Sequence, residues 1–377
     1  MKHFLDRIEI VADQYDRLQE IARRCLDGAR VRAEDGTWIF QPDGGGKYGR
    51  NMYTRDFCYA VEGAGHLIPP EEIAAACEYI FTRQREDGLM PNRVAADGTP
   101  IYVVNENNPA LNYPPADNAQ FAVKLMRAYM DLTRDWEFFS RWSHALMDAM
   151  ETVVLSEDHL VEIDPADPRP GYGFTDTVAK TGEVLFSSLL YWEACMLLAG
   201  MCKQVEDHDG VHTWFEAAEH TARNLHELDD GKSDMFLAAS RDCRQVDLWG
   251  SAYAGVVRAA SKSHTKRIGE FFFDRYDDCI LRGCVRHVPA PATWERMLAD
   301  YPPGTYQNGG YWPTASGWVA KVLDKYDPAT ARTFVDDVIE ELDEGNAPEW
   351  ISDDRREAPL YVASAANVLG AVKRARS

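Results

Sequence analysis

Apolar residues recur every three to four positions along most of this 377-residue chain, the spacing that gathers them on one face of an α-helix. Ile8, Val11, Tyr15, Leu18, Ala22 and Cys25 form one stripe, and Val211, Trp214, Phe215, Ala218, Ala222 and Leu225 a second. Phe334, Val335, Val338, Ile339 and Leu342 form a third. Such helices bury one side and wet the other. The stretch from Glu183 to Gly200 is different: it is apolar or small almost all round, with only Glu183 and Glu193 charged. A helix of that kind is packed on every side. Leu248 to Ala260 and Tyr311 to Leu323 share its mixture of small and large apolar residues.

Six times, a segment dense in Tyr, Trp, Asn, Arg and carboxylates runs into an apolar helix, near Tyr53, Asp117, Glu183, Leu248, Tyr311 and Pro359. The pattern predicts twelve helices, over 3–27, 53–66, 69–85, 116–134, 135–155, 183–205, 211–228, 247–260, 262–280, 311–325, 328–344 and 359–375. Those starting near 53, 116, 183, 247, 311 and 359 are expected inside and the rest outside, an all-α (α/α)6 toroid built as one catalytic domain over 1–377. Long connections (28–52, 86–115, 156–182, 229–246, 281–310, 345–358) precede the inner helices, and short turns follow them. One rim therefore collects the long loops, where function concentrates. Short β-pairs are expected near Thr37–Gln41 and Ile101–Val104, beside Gly-containing turns.

Composition narrows the partners. With 40 Lys and Arg against 61 Asp and Glu, the net charge is −21, which argues against nucleic acid and anionic membrane and suits a neutral ligand. The first residues form a charged amphipathic pattern without a signal-peptide apolar core. No stretch is read as approaching the roughly 18 apolar residues of a membrane span. The eight cysteines, at 25, 58, 77, 195, 202, 243, 279 and 284, sit mostly on apolar faces with no CxxC spacing. Buried reduced thiols and a cytoplasmic location are the expectation. Neither HExxH nor an EF-hand ladder is present, so no metal and no cofactor is expected.

The chemistry lies in the polar clusters. Tyr53-Thr54-Arg55-Asp56 is either a helix N-terminus or an Arg–Asp pair that grips sugar hydroxyls, each of which needs a donor and an acceptor. Asn92 and Arg93 follow the Asp87-Gly88 turn and are candidate ligands. Asp117-Asn118 after two prolines fits a helix cap equally well, though it faces the shared rim. Asp176 stands among aromatics in Gly171-Tyr172-Gly173-Phe174-Thr175-Asp176, ahead of Lys180-Thr181-Gly182-Glu183. A carboxyl there loses hydration, its pKa rises, and it can stay protonated near neutrality as an acid. Asp247-Leu248-Trp249 puts an acid and an aromatic at another inner-helix start. Tyr306-Gln307-Asn308-Gly309-Gly310-Tyr311-Trp312-Pro313 combines amides with rings that suit sugar edges and faces. Glu349, between Pro348 and Trp350, is either a base or a solvent-facing Glu.

These residues resemble the six-hairpin glycosidases, the clan that holds the glucosidase domain of glycogen-debranching enzymes, trehalase and processing glucosidase I. Thr175-Asp176, Lys180-Thr181-Gly182-Glu183 and Leu189-Leu190-Tyr191-Trp192-Glu193-Ala194 look like the debranching pattern, and Gln307-Asn308-Gly309 with Trp312-Pro313 looks like a later motif. Pro348-Glu349-Trp350 resembles the Glu-bearing loop before the final helix. The likeness covers roughly 45–375 and is strongest over 171–195 and 304–320. It implies an inverting glycoside hydrolase acting on an α-linked glucoside, with Asp176 as general acid and Glu349 as general base. The polar clusters themselves offer Tyr53, Arg55, Asp56, Asn92, Asp117, Asn118, Lys180, Trp249, Tyr306, Gln307, Asn308, Trp312 and Trp350 as the candidate residues around a small carbohydrate. No counterpart of the N-terminal β-domain common in that clan is found, which favours a small substrate over a polymer. A sugar epimerase or isomerase, an unsaturated-uronyl hydrolase or a phosphorylase shares the barrel. Epimerases need rim histidines, and here only His287 lies near a long loop. No phosphate cradle stands out.

Overall fold

The computed structural model describes residues 6–375, and the apolar stripes lie on helices except at the start of the first, while Phe215 and Ala222 of the second are exposed. These are α1 (Ala12–Ala29), α2 (Thr54–Ala64), α3 (Pro70–Phe81), α4 (Asn118–Thr133), α5 (Trp136–Glu151), α6 (Leu185–Gln204), α7 (His208–Asn224), α8 (Leu248–Val256), α9 (Lys262–Asp274), α10 (Tyr276–Cys279), α11 (Ser316–Tyr326), α12 (Pro328–Glu344) and α13 (Val362–Ala371). In the order α2, α4, α6, α8, α11, α13 each helix packs on the next, and α13 returns to α2. Outside this ring α3 and α5 lie on α4, α7 on α6, α9 on α8 and α11, α12 on α11, and α1 on α12 and α13. The chain is an (α/α)6 toroid, as the periodicity implies.

Sequence separates the two layers. The inner α6 is buried almost around its whole circumference, whereas the outer α7 buries only Gly210, Trp214, Ala218 and Thr221, one stripe. All eight cysteines are free and buried, as their apolar settings imply. The helix α6 is long and apolar enough to cross a membrane, yet it is mostly buried inside the protein.

Two features join the first inner helix to the last. A Cβ on Gly63 of α2 would lie 2.0 Å from the Ala366 carbonyl oxygen of α13, and one on Gly370 would lie 3.0 Å from the Gly63 Cα. The helices can approach so closely because neither glycine has a side chain. Beside them, Ile8–Ile10 pairs in parallel with Val372–Arg374.

The element boundaries depart from the sequence expectation where backbone chemistry overrides the 3.6-residue pattern. Residues 3–5 of the first expected helix lie outside the described residues, and Ile8-Glu9-Ile10 is a strand that alternates buried and exposed. Val11, assigned to the buried stripe, is 60% exposed. At the other end the expected helix 359–375 shrinks to α13, because Ala358 and Leu360 take left-handed φ values of 47° and 57° and the last turn becomes the strand. The helix expected from 311 begins at Ser316. Trp312 is extended ahead of Pro313, the conformation a following proline favours. The helix expected over 262–280 breaks at Arg275 into α9 and α10. Of the β-pairs, Trp38–Phe40 pairs with Arg30–Arg32, while the 101–104 expectation narrows to Pro100–Ile101, which joins Arg93–Ala95 and Asn51–Tyr53.

Replacing Gly63 by Ala is expected to lower stability in urea by about 1–3 kcal/mol through overpacking at the ring's seam. Gly200→Ala on α6, where the nearest heavy atom lies 3.7 Å away, is expected to raise it by about 0.5–1 kcal/mol through helix propensity. Equal effects of the two substitutions would contradict the close-packed seam.

Candidate active site

The inner helices start where the polar clusters lie, and the clusters interlock. Thr54, the first residue of α2, donates its N–H to the Asn92 carbonyl at 3.0 Å and its hydroxyl to Pro91 at 2.7 Å. One residue on, the buried Arg55 guanidinium lies 3.6 Å from Asp56 and 3.7 Å from Asp117. Asp117 accepts the Gly173 N–H at 2.8 Å. Gly173 is needed there because its Cβ would lie 1.8 Å from Arg55 Cζ. Burial pushes Asp56 and Asp117 upward in pKa, and Arg55 opposes it. One cation thus ties α2, α4 and the 171–176 segment together.

That segment carries Asp176. Gln307 donates Nε2–H to Asp176 Oδ1 at 2.9 Å, and its own oxygen accepts from the Thr177 N–H at 2.9 Å and hydroxyl at 2.5 Å. Gln307 is therefore locked, with its amide aimed at the acid. Asp176 is only half-buried by surface area yet walled by protein, and loss of hydration raises its pKa to about 7, against the pull of Arg55 and Gln307. Glu349 adds to the rise, so the two carboxyls sense each other.

Glu349 is 1% exposed. Its loop leaves α12 through Asn346 and Ala347, both left-handed at φ 55° and 50°, and its N–H is held by the Glu357 and Ala358 carbonyls at 2.9 and 3.0 Å. Lys47 donates to Glu349 Oε2 at 2.6 Å, and the Tyr48 hydroxyl donates to Oε1. Burial still raises the Glu349 pKa, with Lys47 and Tyr48 opposing it. Tyr306 lies within the field of both Glu349 and Asp176, as does Tyr301, whose ring tilts over Tyr306 at 4.8 Å. Tyr361 donates to Asp56 at 2.6 Å. Below, Phe174 meets Trp249, Trp312 and Tyr361 with centroids 6.0, 5.9 and 6.3 Å apart, an aromatic floor.

The fold thus brings Asp176, Gln307, Glu349, Tyr306, Arg55, Asp56 and Asp117 into one electrostatic neighbourhood. Tyr53 also feels Asp176, and Trp350 packs edge-on to Tyr306 at 6.4 Å. Other residues are engaged elsewhere. Asn118 donates to Met90 at 3.2 Å, and Asn308 donates to Tyr301 and accepts from Trp294. Asn92 and Arg93 hold the Val103 and Val104 carbonyls. Trp249 and Trp312 are buried in the floor. Lys180 lies with Asp247 at 3.9 Å and over the Trp294 ring at 5.0 Å. His287 is stacked on Trp249 at 4.1 Å, and burial, then Lys180, drives its pKa far down. Lys47, Tyr48, Tyr301 and Tyr361 escape the sequence reading. The signal for the first two is the Gly44-Gly45-Gly46 run just before them, where Gly44 packs against Gly28 and Leu360.

No protein-family model matches the chain, and no curated protein sequence matches it. Solved structures do. A mannosylglycerate hydrolase of family GH63 from Thermus thermophilus, in complex with glucose, is similar with a TM-score of 0.66 at 13% identity, over 94% of this chain and 99% of that one. A rhamnosidase from Klebsiella oxytoca with rhamnose bound gives 0.68 at 12% identity, over 97% of this chain and 65% of that one. A GH78 rhamnosidase from a Bacillus species gives 0.63 at 14% identity, over 95% of this chain and 34% of its own length. The chain has the six-hairpin glycosidase fold.

In a double-mutant cycle read by urea unfolding, Gly173→Ala is expected to cost more than about 1 kcal/mol in the parent and nearly nothing in an Arg55→Ala background. Additive costs would show that Gly173 and Arg55 do not share the contact.

Proposed function

We propose that this chain is an inverting glycoside hydrolase acting on a small α-linked glucoside, with Asp176 as general acid and Glu349 as general base. The observation that carries the reading is the state of Asp176: a carboxyl raised to about 7 by lost hydration holds a proton that an ordinary aspartate would have released. From that position it protonates the leaving oxygen as the glycosidic bond breaks. Glu349 accepts a proton from the attacking water on the opposite face of the sugar. Its two donors, Lys47 and Tyr48, favour the charged form it needs and fix its orientation. In inverting enzymes the two carboxyls stand roughly 6.5–9.5 Å apart to admit that water. Tyr301, Tyr306 and the Phe174 floor supply rings for the sugar. The solved glycosidases of the same fold support a hydrolase over an epimerase, and the buried, neutral His287 gives an epimerase no rim base.

The deciding experiment offers a panel of α-linked glucosides and follows the released anomer by NMR. A β-anomer is expected first, and retained configuration contradicts the mechanism. Asp176→Asn is expected to reduce turnover by about 10²–10⁴-fold, the range for a general acid, with the fold intact. Near-parental turnover removes Asp176 from the role.

The same carboxyl sets two pH dependences. Turnover is expected to fall as pH rises through about 7, where Asp176 loses its proton. Stability moves the same way. The unfolded chain releases this proton near pH 3.9 and the native state near 7, so the native state binds more protons between these values and loses stability as pH rises. Asp176→Asn is therefore expected to melt higher than the parent above neutrality and equally near pH 4. An unchanged difference across that range would refute the raised value.

A further inference from the structure

The ring has a second mouth, away from Asp176. A cavity of about 400 Å³ opens there, lined by the C-terminal halves of α2, α4, α6, α8 and α13 and the first half of α11. Its polar wall contains four cations, Arg7, Lys124, Arg127 and Lys321. Two have carboxylates. Lys124 lies 2.9 Å from Glu62 and 2.7 Å from Glu193 and donates to Tyr253 at 2.9 Å. Arg127 lies 2.9 Å from Asp131.

The side chains of the other two, Arg7 and Lys321, have no hydrogen-bond or ion-pair partner among the described residues. Lys321 is only 8% exposed. Its ammonium opens on the cavity and not into the protein core, and Arg7 stands exposed at the cavity's edge. An ammonium with so little access to water and no carboxylate paired to it among the described residues is costly, and the neighbouring Arg7 makes it more so. The carbonyl ends of the inner helices converge on this mouth and offset part of that charge, but as partial charges spread over several termini. They do not give a point ammonium a bonded acceptor. Burial, then Arg7, lowers the Lys321 pKa to about 8, with Glu62 and Asp6 opposing, the direction of a cation short of anions.

We propose that this second mouth is a binding site for a small oxyanion, a phosphate or the phosphate group of a sugar phosphate, held between Lys321 and Arg7. The cavity exceeds the volume of the ion alone, which leaves room for an organic remainder. Trp318 lines it and also meets Trp249 at 5.9 Å and Tyr253 at 4.9 Å. Trp249 belongs to the floor under Asp176, so one aromatic stack separates the two mouths and touches both. Occupancy is therefore readable in tryptophan fluorescence.

The test titrates the full chain with inorganic phosphate, sulfate and a hexose 6-phosphate by calorimetry and tryptophan fluorescence, and repeats this with Lys321→Met and Arg7→Ala. Saturable binding of one anion per chain is expected, weakened at least tenfold by either substitution. Tight binding of free phosphate identifies the ion itself as ligand, and binding of the hexose phosphate alone identifies an organic phosphate. In thermal melts phosphate is expected to raise the parent's midpoint but not that of Lys321→Met, and Lys321→Met without anion is expected to melt at least as high as the parent. Absence of binding by all three anions overturns the site. So does undiminished binding by Lys321→Met, or a lowered Lys321→Met midpoint with no phosphate effect on the parent, which would make Lys321 a helix-end counter-charge. Neither variant touches the carboxyls proposed for catalysis, so these outcomes stand whatever the glycosidase assay returns.

Discussion

A guanidinium removed from water holds the upper rim together. Arg55 needs anionic company to be buried, and it finds Asp56 on its own helix and Asp117 at the head of the neighbouring one. Asp117 in turn accepts the Gly173 N–H, so the segment that carries the raised acid is held against the cation. The arrangement balances two opposing demands. Lost hydration raises Asp176, while the nearby positive charge restrains the rise, and the result is a carboxyl that exchanges its proton near neutrality. Remove the cation and two buried carboxylates lose their partner together, a far larger disturbance than the loss of one surface ion pair.

The layout of the toroid was legible because inner and outer helices have different physical signatures. An outer helix such as α7 buries one stripe, and an inner one such as α6 has no wet face, so the alternation can be read from apolar spacing alone. Asp176 was legible for the same kind of reason, as an acid among aromatic and small residues just before the most apolar helix. Gln307, Tyr306 and Glu349 stood out as polar groups flanked by Trp, Pro and Gly.

What stayed hidden depends on contacts across long sequence distances. Lys47 and Tyr48 matter because they meet Glu349 about three hundred residues later; the glycine run before them marks a close backbone approach but does not name the partner. Tyr361 sits in the start of an apolar helix and reveals its role only against Asp56. Conversely, Asn118 and Asn308 have the composition of sugar ligands, yet their amides serve backbone groups, and Lys180 turns to Asp247 and Trp294. The ends of the first and last helices were misjudged because an Ile-Glu-Ile triplet suits helix and strand alike, and only the presence of Val372–Arg374 beside it decides for the strand.

The seam between Gly63 and Ala366 also bears on how such a chain emerges from the ribosome. Each inner helix can settle on its predecessor as it appears, but α2 keeps one flank bare until α13, about three hundred residues later, is made. Loop closure over that distance is paid in entropy before any contact returns it, so the nascent ring stays open and its apolar interior accessible through most of translation. A protein built this way leans on α13 for cooperativity, and a chain cut short before that helix would leave a horseshoe with an exposed, adhesive gap.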